Sequence, residues 1–245
     1  MGNLPERRTL YYFIRMSGIL NAIYDWSEVW ALLIPLFFLV LGHKQPALLN
    51  PIVVYLCLAL VLNLSGDIIA DFKRSYHFPA WLQSNNPIYN LHSVVRFACF
   101  SYFFISLPQP GFRTIKKIIA AVFVAFFIAD FGFFENFFYP NHLSGNLLSV
   151  ESYLLLIYCM LYYLAVLNDE DDAAFKGPVF WIVTGLSLYV VINFFVFLFY
   201  VPMITQNFVL TLDIWNVHNA AYIILCLFIT RAFYVTTGKY ASAGN

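Results

Sequence analysis

Asp67, His92, Arg96, Asp130, Glu151, Asp213 and His218 are ionisable residues set inside apolar stretches of the chain. Charge in a bilayer is costly and faces a bundle interior or a water-filled cavity, so each marks a candidate site. Carboxylates there hold cations or protons, histidines carry protons or ligate metals, and a deep arginine pairs with a carboxylate or an anion. Spacing groups them further. Asn63, Asp67 and Asp71 recur every four residues and share one helix face, as do His92 and Arg96. Trp215, His218, Asn219 and Tyr222 follow the i, i+3, i+4, i+7 pattern, and Asp213, Asn216 and Asn219 are three apart. One polar and aromatic side of that last segment is expected to line a pocket. The candidate ligand-binding set is Asp67, His92, Arg96, Asp130, Glu151, Asp213, Trp215, Asn216, His218 and Asn219.

The elements that must hold these residues are membrane spans. The 245 residues are 62% hydrophobic, 20% aromatic and only 11% charged, with mean hydropathy +0.75, whereas a soluble domain averages roughly 25% charged. A span needs about 20 mainly apolar residues. Seven stretches qualify: 27–43, 48–71, 87–107, 115–134, 146–167, 178–201 and 209–235. Separators such as GHKQPA, LPQPGF, YPNHLSGN and NDEDDAAFKGP carry turn signals. The sequence therefore predicts an all-α, polytopic membrane protein with a seven-transmembrane-helix bundle over 27–235. Residues 1–26 form an N-terminal segment, possible as an interfacial helix through Tyr11, Tyr12, Phe13 and Tyr24. Residues 236–245 form a short tail. Cys57, Cys99, Cys159 and Cys226 lie within apolar segments without a CxxC pair and read as buried free thiols.

Orientation follows Lys and Arg in short loops. From Arg113 onward every such residue, including Lys116, Lys117, Lys176, Arg231 and Lys239, falls on one side when the C-terminus is inside. The expected topology is N-terminus out, C-terminus in. It places the ionisable residues in the outer half of the bundle, while the inner half offers only His43 and Arg231, at helix ends. In general look the chain is similar to small bacterial seven-helix proteins, which implies the bacterial cytoplasmic (inner) membrane. Net charge is zero, so no basic surface invites nucleic acid.

The outer layer carries an excess of carboxylate. Glu28, Asp71 and Glu135 sit at boundaries and read as facing headgroups and water. Asp67, Asp130, Glu151 and Asp213 read as cavity groups, with Arg96 expected to pair with one or two of them. The remaining negative charge calls for protonation, a cation, or a polar ligand.

Four chemistries fit to different degrees. A retinal pigment needs a buried Schiff-base lysine, and every lysine here lies in a loop or at a segment end. No retinal Schiff base is expected, and the cofactor is otherwise unknown. His92 and His218 with Asp67 or Asp213 would make a two-His, one-carboxylate metal site. Such a hydrolase would resemble the seven-helix ceramidase and adiponectin-receptor-type enzymes, whose HxxxH on the last helix and histidine on the second are absent here. No GxSxG, HExxH or GxxxxGK[ST] motif occurs. A cation- or proton-coupled transporter would need polar residues in the inner half as well. The expectation is a non-enzymatic, receptor-like protein that binds a small polar or cationic ligand from outside. It would signal through a separate cytoplasmic protein, using the basic RTIKK loop and the Asp169–Asp172 acidic run.

Overall fold

The computed structural model describes residues 24–41, 45–72, 79–138, 143–168, 177–204 and 208–243, and their regular structure is helical throughout. Each of the seven expected segments forms a helix: α1 (Ser27–Val40), α2 (Asn50–Phe72), α3 (Asn86–Ser106), α4 (Arg113–Ala129), α5 (Gly145–Leu167), α6 (Pro178–Ile204) and α7 (Phe208–Ala243). Local chemistry sets their ends. Pro87 stands in the first turn of α3, where its missing N–H costs nothing. Ser144 caps α5, its Oγ accepting from Leu147 N at 3.1 Å. Helix α4 closes with a π-turn, Asp130–Phe134, in which Glu135 N donates to Asp130 O at 2.7 Å. Helix α7 continues through Ala243, past the expected boundary at 235, because no proline interrupts it.

Five of these helical stretches, in α2, α4, α5, α6 and α7, are long and apolar enough to cross a membrane. Exposed side chains such as Phe37, Val61, Phe133, Leu167, Phe195 and Leu227 cover the outside of the bundle, which suits lipid and not water. The chain is an integral membrane protein. Helix α1 has 14 residues, about 21 Å at 1.5 Å per residue, against a hydrocarbon core of about 30 Å. Helix α3 has the length, but Asn86, Asn90, His92, Ser93 and Arg96 reduce its apolarity. Residues 1–23, where the interfacial helix was expected, lie outside the described residues.

Six helices close a ring. Helix α1 packs on α2, α2 on α3, α3 on α5, α5 on α6, α6 on α7, and α7 returns to α1. Helix α4 sits outside the ring against α3 and α5. Only 17% of its apolar stretch is buried, against 39% or 50% in the other four. It is held by the Phe97–Phe123 stack, at 3.7 Å between centroids, and by Tyr158 OH donating to Lys116 O at 2.6 Å. Cys159 and Cys226 are buried in the core as expected, whereas Cys99 is half-buried and Cys57 faces outward.

Lys116 departs from its expected loop role. It is buried, and its Nζ donates to Phe104 O at 2.8 Å and to Gln109 Oε1 at 2.7 Å. The ammonium thus caps the C-terminal end of α3, where carbonyls lack helical partners and the helix dipole is negative.

Helices α6 and α7 meet closely at Gly185, where an added Cβ would lie 2.4 Å from Phe228 Cβ. Small residues at such crossings let backbones approach. Gly185→Ala should force the two helices apart and cost about 1–3 kcal/mol, seen as a lower unfolding midpoint in detergent. Replacing Phe228 by Gly in the same protein, which removes the Cβ that the new methyl would strike, should return part of the loss. An unchanged midpoint in the single variant would contradict the crossing.

Candidate functional site

The starts of α1, α3, α5 and α7 and the later halves of α2 and α6 meet at one end of the ring. Their polar side chains form three hydrogen-bonded systems there. The first joins α3 to α5. Arg96 lies ten residues into α3, about 15 Å along its axis. Its Nε donates to Glu151 Oε1 at 2.5 Å and its Nη2 to Oε2 at 2.7 Å. Ser93 Oγ, one turn earlier, donates to the same Oε2 at 2.6 Å. The guanidinium also lies 5.1 Å from the Tyr189 ring centroid of α6. Two parallel bonds and an aromatic face are the arrangement that suits arginine over lysine. The expected partner set for Arg96 thus resolves to Glu151.

The second system joins α1, α6 and α7. Asn193 Nδ2 donates to Tyr189 O at 2.8 Å, which fixes the amide and turns Oδ1 toward His218. His218 Nδ1 therefore donates to Asn193 Oδ1. Its other nitrogen, Nε2, lies 2.8 Å from Glu28 Oε1. With a hydrogen already on Nδ1, that contact needs one more hydrogen, carried by Nε2 or by Oε1. The pair is electrically neutral in either form. Glu28 was expected to face headgroups, but it is buried because its helix α1 closes the ring against α7.

The third system is aromatic. Tyr55 OH of α2 donates to Tyr222 OH of α7 at 3.2 Å and lies 3.4 Å from His92 Nε2 of α3. The His92 ring stacks on Tyr55 and meets Tyr222 edge-on.

Among the described residues, several polar atoms in this layer have no hydrogen-bond partner. They are Ser27 Oγ, Asn63 Nδ2, Asp67 Oδ2, Tyr189 OH and Asn219 Oδ1. Buried polar groups are nearly always satisfied, so each such atom calls for a ligand or water. The layer is otherwise closed: Glu28, Asn63, His92, Arg96, Glu151, Asn193, His218 and Asn219 are all buried, while Asp67 is half-buried. The charged groups that reach Asp67 among the described residues are Glu28, Asp71 and Asp25, all carboxylates.

The remaining candidates fall around this layer. Trp215 packs against His218 at 5.1 Å and Tyr89 at 5.3 Å between centroids. Asn219 Nδ2 donates to Tyr24 O at 3.2 Å, tying α7 to the segment before α1. Asn216 is exposed, and Asp71 is exposed as its boundary position suggested. Asp130 is buried at the π-turn of α4, outside the ring. Asp213 falls within α7, but its side chain lies outside the described residues. Asn90, absent from the candidate set, staples the layer. Its Oδ1 accepts from Ser144 N at 3.2 Å and so fixes the start of α5 against α3. Among the described residues no three His, Cys, Asp or Glu side chains converge to hold a metal ion. His92 and His218 belong to separate hydrogen-bonded systems.

No protein-family model, curated protein or solved structure matches this chain.

Proposed function

We propose that this integral membrane protein is a receptor-like module that binds a small cationic or polar ligand in its polar layer and signals through a separate cytoplasmic partner. The bundle then has seven spans in a bacterial inner membrane, with the N-terminus and the layer outside and the C-terminus inside. The observation that carries this proposal is a charge balance. Arg96 with Glu151, and His218 with Glu28, each neutralise themselves. Among the described residues, Asp67 is left with an unpartnered oxygen and only carboxylates as charged neighbours. Its partial exposure gives a ligand access from the aqueous side. The unpartnered atoms of Asn63, Ser27, Asn219 and Tyr189 supply further polar contacts. Below the layer the ring is filled by Phe100, Phe103, Phe104, Leu225, Ile229 and Phe233, all buried. That apolar floor favours sensing over a polar transport path.

Thermal unfolding of the purified protein against small primary amines, quaternary ammonium compounds and neutral polar molecules tests this function. A true ligand at one hundred times its Kd should stabilise by about 2.7 kcal/mol. Asp67→Asn should remove that stabilisation, and Asp71→Asn, at an exposed site, should keep it. Equal stabilisation of the Asp67→Asn protein would refute the assignment.

A further inference from the structure

The end of the ring opposite the polar layer carries an exposed cation set against two aromatic rings. Arg231 of α7 is exposed and lies thirteen residues past His218, about 20 Å further along the helix axis. Its guanidinium carbon stands 5.4 Å from the Trp181 ring centroid of α6 and 5.3 Å from that of Tyr234, within reach of cation–π attraction. Both rings are themselves packed, Trp181 on Phe228 at 5.8 Å and Tyr234 on Phe38 of α1 at 6.1 Å between centroids. Rings attract a cation but bring it no counter-charge. Arg96 makes the same kind of ring contact and also has Glu151. Among the described residues the Arg231 guanidinium meets no carboxylate, and neither the Trp181 indole N–H nor the Tyr234 hydroxyl has a hydrogen-bond partner. Ile224, Leu227, Arg231 and Tyr234 recur at i, i+3, i+7 and i+10, so they share one face of α7, and all four are exposed. Leu227 lies about 6 Å and Ile224 about 10 Å deeper along the helix than Arg231. Trp and Tyr sit at headgroup level in a bilayer. This outer face therefore runs from hydrocarbon at Ile224 to headgroups at Arg231.

We infer that this face binds a phospholipid of net negative charge, its phosphate on the Arg231 guanidinium beside Trp181 and Tyr234 and one acyl chain along Leu227 and Ile224. Guanidinium and phosphate match in charge and in their paired donors and acceptors. A zwitterionic lipid brings its own ammonium, which Arg231 repels and no carboxylate among the described residues of this face receives. It is the disfavoured occupant. The apolar stripe that continues from the cation favours a lipid over a free phosphate. The site stands at the other end of the bundle from the Asp67 layer and holds whatever ligand that layer takes.

The test is native mass spectrometry of the full-length protein, released from nanodiscs containing equal parts phosphatidylglycerol and phosphatidylethanolamine. Phosphatidylglycerol should be retained about tenfold more, the scale of one charge-assisted contact. Arg231→Gln, at an exposed position, should erase the preference. Lys117→Gln, which removes an exposed basic residue of α4 at the same end, should keep it. Delipidated protein supplies a second arm that needs no variant: phosphatidylglycerol should raise its unfolding temperature, and inorganic phosphate should not. Equal retention of the two lipids, an unchanged preference in Arg231→Gln, or an equal loss in Lys117→Gln would each overturn the assignment. A thermal shift with inorganic phosphate that Arg231→Gln removes would give the site to a soluble anion and overturn the lipid.

Discussion

Glu151→Ala should lower the stability of the bundle by about 3–5 kcal/mol, the cost of removing one partner from a buried ion pair. Glu151 is 0% exposed and receives three hydrogen bonds, two from Arg96 and one from Ser93. Without it the guanidinium stays buried near the middle of α3, too deep to reach the membrane surface easily, and keeps only the Tyr189 face. Arg96→Met should cost a similar amount by leaving the carboxylate unpaired. The double variant Arg96→Met, Glu151→Leu should lose much less than the sum, because it removes both charges and keeps the volume. Equilibrium unfolding in mixed detergent micelles, followed by circular dichroism, measures all three. Additive losses would show that the two side chains do not act as a pair.

Much of this arrangement was legible in the sequence. The seven apolar stretches read directly as helices because each is long and turn-bounded. The four-residue spacing of Asn63 and Asp67, and of His92 and Arg96, placed those residues on common faces before any contact was known. Pairing was harder to read. Arg96 had four candidate carboxylates at similar depth, and ring closure decided among them by packing α3 against α5. Glu28 looked like a boundary residue because it opens the shortest apolar helix. Only the return of α7 to α1 buries it. Lys116 looked like a loop residue for a related reason: its partners are the Phe104 carbonyl and Gln109, whose positions depend on how the chain turns between α3 and α4. Spacing ties Tyr222 to His218 and Asn219, but nothing in it singles out Tyr55 or Tyr189 among 17 tyrosines. A tyrosine in the middle of a span must find a partner for its hydroxyl or leave it unsatisfied, and that rule was the available signal.

The Glu28–His218 contact should tolerate Glu28→Gln within about 1 kcal/mol, while Glu28→Ala should lose about 2–3 kcal/mol. The difference follows from where the hydrogens are. Asn193 is fixed by its bond to Tyr189 O, so His218 Nδ1 must carry a hydrogen. One further hydrogen then serves the gap between Nε2 and Oε1. Glutamine supplies that hydrogen from its own amide and leaves His218 neutral, with every bond intact. Alanine leaves Nε2 buried without a partner and opens a void beside α1. Since the native pair is already neutral, Glu28→Gln also leaves the net charge of the layer unchanged. The stabilisation by a cationic ligand should therefore survive Glu28→Gln and vanish in Asp67→Asn. That contrast is the sharpest consequence of the charge balance, because both substitutions replace a carboxylate by an amide in neighbouring positions of one layer. If the Gln variant lost ligand stabilisation as fully as the Asn variant, Glu28 would have to carry a free negative charge, and the neutral pair would be wrong.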